Sequence, residues 1–147
     1  MKRLFLFLAF LPFFATSLSA QNEFTIEQSL YEGTIDGEYN ITLFLSVEDP
    51  CGGNPYTAGM YKYKDDEEWI ELSISFNEEE ERYCMAEYLF TGVLILKKEN
   101  SSLNGRWISP DAERQIPVKL RKKTLSASEK ESYTEILNNL FYNHNDC

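Results

Sequence analysis

Short segments in which polar and apolar residues alternate dominate this sequence, and turn residues separate them. The clearest is YNITLFLSV, residues 39–47, in which every second position from Ile41 to Val47 is a large aliphatic residue. Side chains of a β-strand point alternately to its two faces, so such a segment is typical of a strand with one face buried. The alternation therefore predicts half-buried antiparallel strands.

About eight such segments follow one another at short spacing. We place them at residues 29–35, 39–47, 58–64, 69–76, 84–89, 90–97, 103–109 and 114–121. Asp36-Gly37 separates the first two and is a hairpin signal, because Gly37 can adopt the positive φ of a type I′ turn. This pattern predicts an antiparallel meander that closes, fully or partly, into a small barrel, with a two-sheet sandwich as the alternative.

The segment SSLNGRWISP, residues 101–110, contains an Asn-Gly pair that would also suit a hairpin turn. A turn there would leave only residues 106–109 as a strand before Pro110, so we place the turn in the preceding KENSS instead. Gly105 and Trp107 then share a strand face, and we expect Trp107 to be largely buried over Gly105 or its neighbour. Pro117 cannot donate to a ladder, which predicts an edge on that side of the last strand.

The tail changes from a period of two to helical spacing. Ser128 and Glu131 have the spacing of a capping box. They are followed by apolar residues on one helical face, which are Tyr133, Ile136, Leu137, Leu140 and Phe141. We expect a helix from about Glu129 to Tyr142 that lies on the sheet or across a barrel mouth. The predicted fold class is all-β with one C-terminal helix.

The first 20 residues, MKRLFLFLAFLPFFATSLSA, are basic, then apolar, then small, as in a secretory signal peptide. The apolar run is shorter than a membrane span, and no later segment is long enough for one. We therefore divide the chain into a signal peptide (1–20), an N-terminal segment (21–28), a β-barrel-like domain (29–121) and a C-terminal amphipathic helix with its tail (122–147). We expect export to the periplasm or out of the cell.

The charge balance is acidic. The chain has 24 acidic and 14 basic residues, and loss of Lys2 and Arg3 with the signal peptide leaves a net charge of −12. We expect no nucleic-acid partner, because phosphate binding needs a basic surface. A negative protein steers basic partners towards itself. The basic run at residues 119–123 is expected to be a solvated strand end, with contact to acidic polymers as the alternative.

Three cysteines follow the signal peptide. In an oxidising compartment one pair can form a disulfide. We expect Cys51, in the irregular loop 48–57, to pair with Cys84, and three separate thiols are the alternative. Cys147 is then left over at the last position.

Groups suited to catalysis or metal binding are sparse. His144 is the single histidine, and with Asp146 and Cys147 it would offer metal donors. A chain terminus supplies no fixed geometry, so we expect a solvated tail, no metal and no other cofactor.

Glu87 is the catalytic candidate. It alternates with Met85 and Leu89 and therefore shares an apolar strand face, where a carboxylate needs a partner. We expect a structural hydrogen bond from a tyrosine or the backbone, and catalysis is the alternative.

Several short motifs recur in order along residues 30–121. They are G-x-Y-x-Y (Gly59, Tyr61, Tyr63), I-x-L (Ile70, Leu72), Glu87, Gly92, G-x-W-x-S-P (Gly105, Trp107, Ser109, Pro110) and P-V-x-L (Pro117, Val118, Leu120). This order resembles a group of small exported bacterial proteins that are frequent in Bacteroidota-type genomes. The resemblance implies a small, calycin-like all-β domain of the cell envelope, and it implies no particular activity.

We therefore predict an exported, non-enzymatic protein that binds a small apolar or aromatic ligand or a protein partner, such as a basic hydrolase. The candidate ligand contacts are Tyr61, Tyr63 and Trp107, and the candidate contact loops are 48–57 and 77–83. One alternative is a structural or assembly accessory of the envelope with a packed interior. The other is a small hydrolase that uses an inward Glu87.

Overall fold

The computed structural model describes residues 25–50 and 53–145. The expected signal peptide, Cys51, Asp146 and Cys147 lie outside the described residues. The elements, in chain order, are β1 (Thr25–Ile35), β2 (Tyr39–Glu48), β3 (Tyr56–Tyr63), β4 (Ile70–Asn77), β5 (Arg82–Glu87), β6 (Val93–Glu99), β7 (Ser102–Ile108), β8 (Gln115–Lys123) and α1 (Ala127–Asn145). A single 3-10 turn, Tyr88–Phe90, connects β5 to β6.

The eight strands form a closed barrel in sequence order. Each strand pairs antiparallel with the next, and β8 pairs with β1 from Leu30–Lys123 to Ile35–Val118. The prediction of an antiparallel meander with a C-terminal helix is confirmed, and the closure rules out the two-sheet sandwich. The strand β8 has no free edge. Its ladder with β1 stops at Val118, so Pro117 needs no N–H on that side, and its carbonyl accepts a hydrogen bond from the Asp36 N–H at 2.8 Å.

The connections alternate between the two ends of the barrel. We call the end formed by the connections after β1, β3, β5 and β7 the upper mouth; these connections are residues 36–38, 64–69, 88–92 and 109–114. The connections after β2, β4 and β6 form the lower mouth. The first hairpin turns at Asp36 and Gly37, whose φ angles of 58° and 75° match the positive φ predicted for this turn.

The barrel interior is filled by protein side chains. Buried residues from all eight strands make one apolar cluster, in which Tyr31, Tyr61 and Tyr83 are the largest members. Leu43, Leu94 and Leu103 are completely buried in it. Close packing of these side chains fills the centre of the barrel.

The helix α1 lies on the outside of the barrel. Leu30, Phe44 and Met60 are register neighbours on β1, β2 and β3 and point outward, where they pack with Leu137 of the helix. Tyr133 stacks on Phe44 with ring centroids 5.3 Å apart. The helix therefore covers the sheet and not a mouth. Among the described residues no helix is both long and apolar enough to cross a membrane.

The helix begins two residues earlier than the capping prediction placed it. The Ser126 N–H donates to Glu129 Oε2 at 2.8 Å, and the Glu129 N–H donates to Ser126 Oγ at 3.3 Å. This reciprocal pair is the capping box, so the prediction of Ser128 with Glu131 is wrong. Ser126 and Ser128 are each followed three residues later by glutamate. Which of the two caps the helix depends on the residue at which β8 ends.

The prediction that Leu89 and Phe90 continue two strands is also wrong. They have φ angles of 60° and 57°, and this left-handed pair reverses the chain between Glu87 and Val93. Both side chains are exposed, at 79% for Leu89 and 56% for Phe90.

No disulfide forms among the described residues. Cys84 is exposed and carries a free thiol, and its expected partner Cys51 lies outside the described residues. The strand parity explains the exposure, because Tyr83 and Met85 on either side of Cys84 point into the core.

Candidate functional site

A hydrogen-bond network around Glu87 lies just below the upper mouth. Glu87 ends β5, points into the barrel and is 6% exposed. Its Oε1 accepts hydrogen bonds from the hydroxyl of Tyr61 and from Nε1 of Trp107, each at 2.6 Å. Its Oε2 accepts from Oγ1 of Thr91 at 2.7 Å. Both oxygens of the carboxylate are therefore engaged by donors from three different parts of the chain.

All three donors to Glu87 are neutral, and Glu87 makes no ion pair with any described residue. Burial, and then the hydrogen bond to Glu87, raise the pKa of Tyr61 well above its ordinary value. The phenol therefore keeps its proton and remains a donor. A buried carboxylate that accepts several hydrogen bonds fixes the geometry of the groups that donate to it.

Trp107 reaches Glu87 across a glycine. A Cβ built on Gly92 would lie 2.4 Å from Nε1 of Trp107, so no larger residue fits while the indole keeps this position. The prediction that Trp107 is largely buried over Gly105 or its neighbour is wrong, because the atoms nearest to a Cβ built on Gly105 belong to the backbone of Ile95 and Leu96, on the neighbouring strand β6. Trp107 is half-buried and lies over Gly92.

The outer part of the Trp107 ring lines a cleft that opens at the upper mouth. We call this the aromatic cleft; it has a volume of about 220 Å³ and is lined by Ile35, Tyr39, Tyr63, Trp107, Arg114 and Ile116. Tyr63 packs edge-to-face on the buried Tyr61, with ring centroids 5.7 Å apart, and on Tyr39 at 6.4 Å. Tyr63 and Trp107 are thus walls of the cleft, and Tyr61 supports them from below.

Arg114 is the cation of the aromatic cleft. Its guanidinium carbon lies 5.9 Å from the centre of the Trp107 ring, a cation–π distance. Its backbone is fixed by Ser109, whose N–H donates to the Arg114 carbonyl and whose Oγ accepts from the Arg114 N–H, both at 3.0 Å. The Ser109 hydroxyl also lowers the pKa of Asp111 by donating to its carboxylate.

A second, acidic cleft of about 280 Å³ adjoins the first. The two clefts share Tyr39 and Tyr63. The polar lining of the second is supplied by Glu38, Asn40, Lys64, Asp65 and Asp66. A ligand in the aromatic cleft would therefore have a cation on the Trp107 side and carboxylates beyond Tyr39.

The sequence predicts that His144 lies in a solvated tail, and this prediction is wrong. Its Nδ1 is 2.5 Å from Oε2 of Glu71 on β4, and its ring stacks on Tyr88 with centroids 3.8 Å apart. Asp146 and Cys147 lie outside the described residues. Within the described part of the chain, no three histidine, cysteine or acidic side chains come together as a metal site.

The structure brings together Glu87, the catalytic candidate, and the three candidate ligand contacts, Tyr61, Tyr63 and Trp107. The expected contact loops do not join them, since both lie at the lower mouth. Sequence reasoning missed Tyr39, Thr91, Gly92 and Arg114 as site residues. Gly92 is a position of the sequence motif, but only the position of the Trp107 ring shows what it does.

No protein-family model, curated protein or solved structure matches this chain. The chemistry of the site therefore follows from its own geometry. Three aromatic rings, two aliphatic side chains and one guanidinium line the aromatic cleft, while the carboxylate beneath it is occupied by three donors. Such a lining can hold a planar ring by contact and orient an anionic substituent by charge.

Proposed function

We propose that the protein is an exported, non-enzymatic binding protein whose aromatic cleft holds a small aromatic ligand bearing a carboxylate. The observation that carries the proposal is the fixed position of Trp107, held by Glu87 and Gly92 beside Arg114. A site whose side chains are already locked loses less entropy when a ligand binds. The resemblance to small exported envelope proteins and the sequence of residues 1–20 support the proposed location.

The size of the aromatic cleft limits the ligand. Pockets for drug-sized molecules have volumes of roughly 300–1,000 Å³. The aromatic cleft, at about 220 Å³, suits one or two fused rings. Because the barrel interior is packed, the proposal places the ligand at the mouth and not in the centre of the barrel.

The same geometry assigns Glu87 a positioning role in this proposal. A general acid or base must reach the substrate directly or through one water. Glu87 is buried, and both of its oxygens accept hydrogen bonds from protein donors. We therefore favour binding over the hydrolase alternative.

Isothermal titration calorimetry with two probes of the same shape tests the proposal. 2-Naphthoate carries a carboxylate, and 2-naphthylmethylammonium carries a cation in its place. The protein lacking residues 1–20 is expected to bind 2-naphthoate with a dissociation constant of about 0.1–1 mM and to prefer it over the ammonium probe. Absence of binding, or preference for the ammonium probe, would reject the proposed ligand class.

Two arginine variants locate the binding. Arg114→Gln is expected to weaken 2-naphthoate binding about threefold to tenfold, because it removes the cation of the cleft. Arg106→Gln is the matched control: it is an exposed arginine on the outer face of β7 and should change nothing. Equal effects of the two variants would show that only the overall charge matters. The structural-accessory alternative predicts no binding in any of these titrations.

A second candidate is binding to a basic protein, such as a basic hydrolase, through the upper mouth. The exposed Leu89 and Phe90 project there, and the exposed acidic run 65–68 lies in another connection of the same mouth. Apolar side chains beside carboxylates complement a basic surface.

Binding to a lysozyme, measured by biosensor at about 50 mM and again at about 500 mM salt, tests this candidate. Leu89→Asn should abolish binding without unfolding the turn, because asparagine tolerates the left-handed backbone at this position. No binding at low salt, or binding unaffected by this variant, would remove the candidate.

A further inference from the structure

The outer face of β5–β8 carries basic side chains in a regular arrangement. The register places Arg82, Lys97, Asn104 and Lys119 in one row across the four strands. Neighbouring strands are about 4.8 Å apart, so the row from Arg82 to Lys119 spans about 14 Å. Arg106 of β7 lies two residues from the row towards the upper mouth, and Arg121 of β8 lies two residues from it towards the lower mouth, both on the same outward parity. We call these five basic residues the basic face.

None of the five cations of the basic face forms an ion pair among the described residues, and Glu32, which lies opposite Arg121 in the β1–β8 register, contacts Lys123 instead. Arg82, Lys97, Arg106, Lys119 and Arg121 are all exposed. The basic residues that do form ion pairs lie at the margin, where Lys122 contacts Glu27 and Lys123 contacts Glu32. Glu99, on the lower margin, accepts a hydrogen bond from Asn104.

This concentration of positive charge is unusual in a chain of net charge −10. The acidic runs at residues 65–68 and 78–81 belong to connections at the upper and lower mouths. The run 78–81 adjoins β5, whereas the run 65–68 joins β3 to β4, outside this face, so the positive charge is concentrated on one side of the barrel. Unpaired like charges repel one another and weaken the fold, so a counter-charge from outside would relieve them.

We propose that the basic face binds a linear acidic polysaccharide that carries carboxylates along its length. A polyuronate has one carboxylate on each sugar, so several of its charges come within reach of one row of lysines and arginines. The cations stand on paired strands of a closed barrel, which fixes their spacing. The polymer runs across the strands, along the row from Arg82 to Lys119, and the Arg82 end of the row adjoins the acidic run 78–81.

The geometry favours a thin polymer over an anionic membrane. A membrane is a plane, whereas the outward positions of β5–β8 follow the curved wall of a closed barrel, so only part of the basic face can contact a membrane at once. Surfaces that dock on lipid also insert aromatic or large aliphatic side chains. The outward positions of β5–β8 carry no aromatic residue, their large aliphatic side chains Val93, Ile95 and Ile108 are half-buried, and the exposed Leu89 and Phe90 project from the upper mouth.

The same lack of aromatic residues argues against a nucleic acid. Proteins that bind single strands combine basic grooves with aromatic platforms on which the bases stack. The outward positions of β5–β8, all within the described residues, offer charge without such platforms. A double helix also requires a surface that is basic over a larger area than this face.

Affinity electrophoresis or biosensor titration with polygalacturonate tests the proposal on the protein lacking residues 1–20. We expect binding at about 50 mM salt that is lost at about 500 mM, because the contact is between exposed charges. Uncharged dextran should not bind. Poly(dT) and vesicles of phosphatidylglycerol should bind more weakly than polygalacturonate. Failure to bind polygalacturonate at low salt, or tighter binding to either of the other two anions, would overturn the proposal.

Two double variants with the same charge change decide whether the basic face is the site. Lys97→Gln/Lys119→Gln removes two cations of the row, and we expect polygalacturonate affinity to fall about tenfold. Lys64→Gln/Lys130→Gln removes two exposed lysines elsewhere, and affinity should change less than about twofold. Equal losses in the two variants would contradict the proposal. All four lysines are exposed, so neither variant disturbs the core.

The two proposed sites can be separated in the same preparations. Arg114→Gln belongs to the aromatic cleft and should leave polygalacturonate binding unchanged. The Lys97→Gln/Lys119→Gln variant should leave 2-naphthoate binding unchanged. If either variant affected both ligands, the assignment of polygalacturonate to a separate basic face would be wrong.

Discussion

Replacing Glu87 by methionine and by glutamine separates the acceptor function of its side chain from its charge. The three side chains are similar in size, so neither variant opens a cavity. Methionine leaves the hydroxyl of Tyr61 and Nε1 of Trp107 without an acceptor, whereas glutamine still offers a carbonyl oxygen in the place of Oε1. The glutamine amide can donate to Thr91, whose hydroxyl then accepts instead of donating.

The expected difference follows from the burial of these donors. Tyr61 is 1% exposed, so water cannot replace the lost acceptor. A buried donor without a partner costs about 1–3 kcal/mol, and because Tyr61 is fully buried and Trp107 is half-buried, the two together cost about 2–4 kcal/mol. Thr91 is exposed and can donate to water, so it adds little. Both variants remove the carboxylate of Glu87 and with it the same desolvation cost of burying that group. This change in stability therefore cancels when the two variants are compared.

Urea unfolding followed by circular dichroism measures this difference. Glu87→Met is expected to unfold with a free energy about 2–4 kcal/mol below that of Glu87→Gln, which corresponds to a midpoint lower by about 1–2 M urea. The near-ultraviolet signal of Trp107 should weaken in the methionine variant alone. Equal midpoints for the two variants would refute the view that Glu87 is held in place as an acceptor.

Three further predictions concern other parts of the molecule. Gly92→Ala should displace the Trp107 indole, destabilise the fold by about 1–3 kcal/mol and weaken 2-naphthoate binding in calorimetry, because a Cβ there would lie 2.4 Å from Nε1; unchanged binding would contradict this. Hydrogen bonds from Ser126 lower the pKa of Glu129 below its ordinary value of 4.5, so the stabilisation from the cap is complete above that pH and is lost as the pH falls through the lowered pKa. Glu129→Gln should therefore reduce the acid-side slope of unfolding stability against pH, and an unchanged slope would argue against the cap. Cys84, free and exposed, should react with a thiol reagent in the folded protein, in a variant that lacks the other two cysteines; protection until unfolding would place its thiol elsewhere.

The strands were predictable because each carries its own alternation. The buried face of β2 can be identified from Ile41, Leu43 and Leu45 alone, and the parity of Glu87 follows from Met85 in the same way. The closure of the barrel could not be predicted in this way, because no local feature of β1 or β8 indicates that these two strands pair.

The assembly of the site depended on register and on connections, which alternation does not encode. Tyr61 lies on β3 and Trp107 lies on β7. They meet at Glu87 because the register of the strands between them brings all three side chains together. Thr91 and Gly92 join them because the left-handed backbone of Leu89 and Phe90 turns the chain back in five residues. Bulky residues are rare in that conformation, and no propensity rule predicts it for Leu-Phe.

The basic face illustrates the same limit on the outside of the barrel. The run at residues 119–123 resembles a solvated strand end when it is considered alone. In the structure, Lys119 of this run is part of a row across the sheet. The other members of the row are Asn104 on β7, Lys97 on β6 and Arg82 on β5. Charge that is scattered along the chain thus becomes concentrated on one surface through register alone.

The most direct test of the proposed binding function is a ¹⁵N-correlated NMR titration with 2-naphthoate, in which the two tryptophan indole N–H signals act as local reporters. Trp107 lines the aromatic cleft, and Trp69 packs with Tyr133 of α1 on the outside of the barrel. We predict that the Trp107 signal shifts progressively with ligand while the Trp69 signal stays in place, and that Arg114→Gln reduces the shift at equal ligand concentration. A Trp107 signal that does not move while other residues respond, or equal shifts at both tryptophans, would contradict binding in the aromatic cleft.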